Sequence, residues 1–120
     1  MILLRYKKTH EKIAMGLLSY MPGEKSVKKL QETMQRYETD ELSQLYLLKD
    51  EDDFIGVIGI ELEDDAYTVK HLSVNPSYRG EGIGTAMVSK LHELFPHLKC
   101  KSTEQTERFM KRCMEKEGAD

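Results

Sequence analysis

Apolar and polar positions along the chain predict an alternation of short strands and amphipathic helices. The apolar run at residues 2–5 predicts a first strand, and residues 8–19 predict a helix. The apolar face of this helix comprises Ile13, Leu17 and Met21. Pro22 and Gly23 then interrupt the pattern, because both are poor residues for a helix interior. A second helix follows, with Ser26 as its N-cap. Its apolar positions are Val27, Leu30, Met34 and Tyr37.

The middle of the chain predicts an antiparallel sheet. Residues 45–74 contain three apolar runs rich in β-branched and aromatic side chains. Acidic clusters at residues 49–53 and 63–65 separate the runs and are typical of turns. Three strands joined by two hairpins form a meander.

A third helix and the rest of the chain complete the predicted order. Apolar residues recur at helical spacing after Gly82 until Pro96 ends the helix, namely Ile83, Ala86, Met87, Leu91, Leu94 and Phe95. Residues 98–102 predict a short strand. Ser102 and Gln105 have the spacing of a capping box before a last helix. The apolar stripe of that helix is Phe109, Met110 and Cys113. The order β-α-α-β-β-β-α-β-α predicts an α+β fold.

The composition is typical of one globular domain over residues 1–120 and excludes several function classes. Hydrophobic residues make up 39% of the chain and charged residues 32%, and the net charge is −3 with both signs interspersed. A nucleic-acid surface would need clustered Lys and Arg, and a membrane span about 20 successive apolar residues. The N-terminal run is too short for a signal peptide, and Cys100 and Cys113 match no metal-binding spacing. We expect a cytoplasmic protein without a metal, a nucleic-acid partner or a membrane partner.

The loop between the meander and the third helix carries the clearest chemical signal. Residues 75–87 place Gly80, Gly82 and Gly84 directly before an apolar helix. A helix N-terminus presents unpaired N–H groups, and glycines let a ligand approach them, so the loop predicts a phosphate cradle beside Arg79. A merely flexible turn is the alternative. No Lys follows Gly84 as a P-loop requires, and no third glycine completes a GxGxxG motif.

Residues 72–88, LSVNPSYRGEGIGTAMV, resemble the acetyl-CoA-binding segment of the GNAT N-acetyltransferases. Arg79, Gly82 and Gly84 match the signature [RQ]-x-x-G-x-[GA] of that family, and the predicted element order also resembles it. The resemblance implies a four-strand antiparallel meander, a parallel fifth strand and flanking helices. It implies acetyl-CoA as cosubstrate and an amine of a small molecule or protein as acceptor. RYKK, EKIAMGLLSYMP, HLSVNPSYRGEGIG and FMKRC are similar to small acetyltransferases of riboflavin-biosynthesis operons, which implies a link to riboflavin metabolism.

The resemblance also implies which residues bind the cosubstrate. In the family, the backbone of a bulged fourth strand pairs with pantetheine, and one of its N–H groups polarises the thioester carbonyl. The glycine-rich loop holds the pyrophosphate through backbone N–H groups, and its glycines keep Cβ atoms out of the cradle. The corresponding residues here are Leu72, Ser73 and Val74 on the strand and Arg79, Gly80, Gly82, Ile83, Gly84 and Thr85 in the loop.

Two side chains are candidates for the base that takes a proton from the attacking amine. His71 lies beside the implied pantetheine contacts, and an imidazole with a pKa of roughly 6.5 suits proton transfer. The alternative is a histidine that is hydrogen-bonded on the sheet surface. Glu61 is the second candidate, and its alternative is a carboxylate in water at a strand end. His10, His92 and His97 form no cluster, which argues against a metal site.

The chain departs from the family pattern at two points. Met110 stands where many members have a tyrosine that protonates the leaving thiolate, and a thioether cannot donate a proton. The family usually adds two strands after the last helix, whereas this chain stops at Asp120. We therefore expect a truncated fold whose fifth strand has an uncovered edge, through which two copies could form a homodimer. A non-catalytic acyl-CoA-binding sensor or partner module is the alternative function.

Overall fold

The computed structural model describes residues 1–23 and 26–118, with side chains up to Arg112. Its elements follow the predicted order. The strands are β1 (Ile2–Arg5), β2 (Ser43–Asp50), β3 (Asp53–Leu62), β4 (Ala66–Val74) and β5 (Lys99–Ser102). The α-helices are α1 (Glu11–Leu18), α2 (Val27–Thr39), α3 (Ile83–Leu94) and α4 (Glu107–Gly118). The predicted packing of the Cys113 side chain lies outside the described side chains.

The five strands form one mixed sheet in the order β1-β2-β3-β4-β5. The first three pairings are antiparallel, and β5 pairs with β4 in parallel. A parallel neighbour needs a crossover connection, which α3 provides. The predicted α+β fold, with a meander followed by a parallel fifth strand, is confirmed.

A hydrophobic core covers each face of the sheet, so the central strands are apolar on both sides. On one face, α1 and α2 pack against Leu45, Leu47 and Val57. On the other face, the buried residues of α3 and Met110 of α4 pack against a larger set of strand residues. That set is Tyr46, Leu48, Ile55, Ile58, Ile60, Tyr67, Val69, Leu72 and Val74.

Three residues of the predicted helix stripes are exposed: Ile13 at 43%, Val27 at 65% and Leu94 at 51%. Residues 8–10 form a 3-10 turn, and α1 begins only at Glu11. This helix buries Ala14, Leu17 and Leu18, so its buried stripe is rotated away from Ile13. Val27 and Leu94 occupy the ends of their helices, where the sheet no longer covers them.

The capping box before α4 lies one residue later than the sequence predicts. Thr103 and Thr106 make the reciprocal hydrogen bonds, with N–H to Oγ1 distances of 3.0 and 3.2 Å. The predicted pair of Ser102 and Gln105 is wrong. The buried Thr106 hydroxyl also donates to the Val69 carbonyl at 2.8 Å, and this tertiary bond selects the register of the cap.

A bulge divides β4 into two halves. Gly59 of β3 pairs with His71 and Ile60 pairs with Val69, so Lys70 is the extra residue. β5 pairs with the first half alone, from Ala66 to Val69. Within the described part of the chain, the second half of β4 thus has β3 on one side and an open edge on the other.

Candidate functional site

A cleft of about 540 Å³ opens at the free edge of β4, between the start of α3, the start of α4 and the end of α1. We call it the β4 cleft. The nine residues predicted to bind a cosubstrate all line it: Leu72, Ser73, Val74, Arg79, Gly80, Gly82, Ile83, Gly84 and Thr85. The structure thus brings the strand and the loop together along one surface.

The loop enters α3 through two left-handed glycines. Gly80 has φ +86° and Gly82, the N-cap of α3, has φ +76°, values that other residues adopt at a cost. Among the residues that the structure describes, no side chain caps this helix end, and a Cβ at either position would meet open space. The first N–H groups of α3 are therefore free to bind an anion in the cleft.

Gly84 has a different physical reason from the one the sequence predicts. A Cβ at this position would clash with the ring of Phe109, which packs against the first turn of α3. Gly84 therefore permits the close approach of α4 to α3. Since Phe109 also lines the β4 cleft, this contact shapes the wall of the cleft.

Three arginines line the β4 cleft: Arg79 in the loop, and Arg108 and Arg112 on α4. The Arg112 guanidinium lies 5.8 Å from the centre of the Phe109 ring. Glu81, the acidic residue of the loop, is exposed and does not line the cleft. The site therefore favours a ligand with several negative charges. Sequence reasoning missed Arg108 and Arg112, although their i, i+4 spacing would place them on one helix face.

The open edge of β4 offers backbone groups to a ligand. The Asn75 N–H donates to the Ile55 carbonyl of β3 at 2.8 Å. Because successive strand residues alternate in direction, the N–H groups of Leu72 and Val74 point away from β3, towards the cleft. The Leu72 N–H meets the Met21 sulfur at 3.2 Å. Tyr20, Met21 and Pro22, which follow α1, line this part of the cleft and were not predicted.

His71, the first candidate base, lies on the opposite face of the sheet from the Leu72 and Val74 side chains and does not line the β4 cleft. Its Nδ1 is 2.5 Å from the Tyr37 hydroxyl of α2, and the two rings meet edge to face with centres 5.5 Å apart. Gly59 pairs with His71 across the strands, and a Cβ on Gly59 would clash with the Tyr37 hydroxyl. Gly59 therefore makes the contact between Tyr37 and His71 possible.

Glu61, the second candidate, lies on the same face as His71. Its carboxylate is 3.1 Å from the Arg36 guanidinium and 3.5 Å from the Lys70 ammonium. The structure thus places Glu61 in a partly exposed ion-pair network. An amine would have to compete with two cations for it.

Met110 is 3% exposed and packs in the core between α3, α4 and the sheet. It therefore offers no proton donor to the β4 cleft. Of the tyrosines, Tyr20 and Tyr78 line the cleft. The Tyr78 hydroxyl lies 3.4 Å from Asp53, and this charge raises the pKa of Tyr78, which makes its hydroxyl a weaker acid.

In the part of the chain that the structure describes, no three His, Cys, Asp or Glu side chains lie together as a metal site would need. Over the same residues, none of the helices has the length and apolar character that crossing a bilayer demands.

Solved structures of acetyltransferases share the fold. Aminoglycoside 6'-N-acetyltransferase AAC(6')-IG from Acinetobacter haemolyticus has a TM-score of 0.73 at 13% identity, over 98% of this chain and 88% of its own. Aminoglycoside N-acetyltransferase AAC(6')-Iy, solved in complex with CoA, has a TM-score of 0.72 at 12% identity, over 96% of this chain and 84% of its own. At such identities the likeness concerns the fold alone.

Sequence comparison identifies the family. The profile of the acetyltransferase (GNAT) family matches residues 12–113. A Bacillus methanolicus protein, described as an uncharacterized N-acetyltransferase in the lysA 3' region, is 50% identical over 113 residues, which cover 93% of this chain and 94% of that protein. Both matches favour an enzyme over a non-catalytic binding module. The chain therefore belongs to the acetyltransferase (GNAT) family and is an N-acetyltransferase.

Proposed function

We propose that the protein transfers the acetyl group of acetyl-CoA to an amine, and that the β4 cleft binds the cosubstrate. The observation that carries the proposal is the cleft itself, which joins an open strand edge, an uncapped helix N-terminus and three arginines. The cleft therefore offers binding groups for both parts of a ligand in which an extended amide chain ends in a pyrophosphate. The strand edge suits the pantetheine amides, and the helix end suits the phosphates.

In this proposal the main chain does most of the binding. The Val74 N–H pairs with a pantetheine amide, and the N–H groups from Gly82 to Thr85 bind the pyrophosphate. Arg79, Arg108 and Arg112 neutralise phosphate charge. The Leu72 N–H polarises the thioester carbonyl and stabilises the oxyanion that forms when the amine attacks.

His71 is the better candidate for the base. When its Nδ1–H donates to the Tyr37 oxygen, Nε2 is left unprotonated and can accept the proton of the attacking amine. Glu61 is held by Arg36 and Lys70, so it is the second candidate. The bond from nitrogen to the acetyl carbon forms, the carbon–sulfur bond breaks, and the thiolate takes a proton from water. His71→Ala should lower turnover by roughly 10²–10⁴, the usual range for a general base, while Glu61→Gln should retain most activity.

The test of cosubstrate binding is a thermal-shift titration with acetyl-CoA and with desulfo-CoA. At about one hundred times the dissociation constant, each ligand should stabilise the fold by roughly 2.7 kcal/mol. Transfer is then measured by mass spectrometry with labelled acetyl-CoA and a panel of amines. The absence of a shift with either ligand at millimolar concentration would contradict the proposal.

The finer acceptor class rests on sequence similarity alone. Four segments resemble the RibT protein of riboflavin-biosynthesis operons, and we propose a flavin-related amine as the first acceptor to test in that panel. Acetylation of unrelated amines with no preference for flavin-related ones would contradict this assignment. The reducing cytoplasm remains the compartment that we propose, because a free thiol, Cys100, lies partly buried on β5.

A homodimer through the edge of β5 stays a prediction. The open edge supports it, but Lys99 and Lys101 lie on this four-residue strand, and lysines on an edge are a common protection against pairing. Analytical ultracentrifugation distinguishes a monomer from a dimer. A concentration-dependent dimer that Cys100→Pro abolishes would support pairing through the β5 edge.

A further inference from the structure

The backbone N–H that the proposed reaction needs is already engaged in the protein by itself. The Leu72 N–H donates to the Met21 sulfur at 3.2 Å in a buried contact. This amide points to the open edge of β4, beyond the last pair with β5 at Val69. A carbonyl oxygen that enters the cleft can reach the Leu72 N–H only by replacing the sulfur.

The side chain of Met21 is suited to such a replacement. Met21 follows the last turn of α1, where its own N–H bonds to the Leu18 carbonyl at 3.0 Å, so its backbone is anchored. Met21 is 5% exposed, yet it lines the β4 cleft, and its side chain has three rotatable bonds. A thioether is a weak acceptor, and a carbonyl oxygen is a stronger one.

We propose that Met21 is a positioning residue that occupies the place of the thioester carbonyl oxygen until acetyl-CoA displaces it. In the free enzyme the sulfur keeps the buried Leu72 N–H satisfied, which prevents the cost of an unpaired donor. This inference rests on the proposed function of the β4 cleft. Met21 should affect the binding of acetyl-CoA and not that of ligands without a thioester, because only a thioester carbonyl must break the contact between Leu72 and Met21.

The test compares acetyl-CoA with desulfo-CoA, which lacks the thioester. Met21→Leu retains the apolar volume and removes the acceptor. The matched control is Met34→Leu, at a buried methionine of α2. By calorimetric titration, Met21→Leu should lower the dissociation constant of acetyl-CoA roughly two- to tenfold, the range of one hydrogen bond. The dissociation constant of desulfo-CoA should stay the same, and Met34→Leu should change neither value.

A second readout follows the Leu72 amide directly by ¹⁵N NMR. Its resonance should shift in free Met21→Leu and, in the wild type, shift on addition of acetyl-CoA but much less with desulfo-CoA. Equal changes in the affinities of both ligands, or an unmoved Leu72 resonance in Met21→Leu, would overturn the role of Met21 while leaving cosubstrate binding intact. A wild-type protein that binds neither ligand would overturn the proposed function and this inference with it.

Discussion

Substituting Gly82 and Gly84 separates two requirements at the start of α3, an open anion site and a close helix contact. In Gly82→Ala the added methyl group meets open space in the β4 cleft, but φ +76° is left-handed. That conformation costs a non-glycine residue about 1–2 kcal/mol of folding free energy. In a chain of this size the loss lowers the melting temperature by roughly 4–8 °C. In Gly84→Ala the methyl group would instead clash with the ring of Phe109, so this ring, or α4 with it, must move at a cost of roughly 1–3 kcal/mol.

A second substitution should restore the acetyl-CoA affinity of one variant and not of the other. We expect both to bind acetyl-CoA at least tenfold more weakly, because one fills the anion site and the other displaces the α4 wall. Gly82→Val should abolish binding in a folded protein. Adding Phe109→Leu should restore much of the affinity of Gly84→Ala and none of the affinity of Gly82→Ala.

The assay is calorimetric titration of acetyl-CoA, together with thermal unfolding of each free variant. Gly16→Ala is the control, since Gly16 lies in α1, meets nothing within 4 Å and has no positive φ. It should stabilise the protein by about 0.5–1 kcal/mol and leave the affinity unchanged. Restoration of Gly82→Ala by Phe109→Leu, or unchanged affinity in both single variants, would refute the distinction between an anion site and a packing contact.

Three further predictions concern single hydrogen-bonded contacts. Tyr37→Phe removes the hydroxyl contact of His71. Turnover should therefore fall several-fold and the acidic limb of the pH–rate profile should move, while the affinity for acetyl-CoA stays unchanged. An unmoved pH–rate profile would show that Tyr37 does not act through the base. Thr106→Val leaves a buried β4 carbonyl without its donor and should destabilise the fold by about 1–3 kcal/mol in chemical denaturation, whereas Thr106→Ser should be nearly neutral. Burial, and then the hydrogen bond to Glu38, raises the pKa of Tyr6. The stabilising proton is present in full below the unfolded pKa of about 10 and is lost as the pH rises above it, so Tyr6→Phe should flatten the loss of unfolding free energy above pH 10.

The order of elements and the glycine-rich loop could be predicted because their signals are local. Apolar spacing, acidic turns and a glycine run before a helix each lie within a few neighbouring residues. The predicted helix stripes are less accurate at the helix ends, where Val27 and Leu94 are exposed. The spacing of apolar residues does not indicate which positions of a helix contact the sheet.

The contacts that refine the site join distant parts of the chain. Tyr37 and His71 are 34 residues apart, and Met21 and Leu72 are 51 apart. No periodicity links such positions, because the link depends on how α1 and α2 pack on the sheet. The packing role of Gly84 was missed for the same reason: it depends on a ring contributed by α4.

The bulge at Lys70 explains how β4 can supply both the amide that polarises the thioester and the imidazole that accepts the proton of the amine. In a regular strand, residues two apart share a face, so His71 would lie on the same face as Val69. The extra residue reverses this alternation: Val69 and Leu72 both face the core under α3, and His71 faces α2. An imidazole on one face of the sheet then directly precedes an amide that points to the open edge. The cosubstrate is expected to lie along that edge, and the amine is therefore expected to approach from the α2 face, where His71 can take its proton.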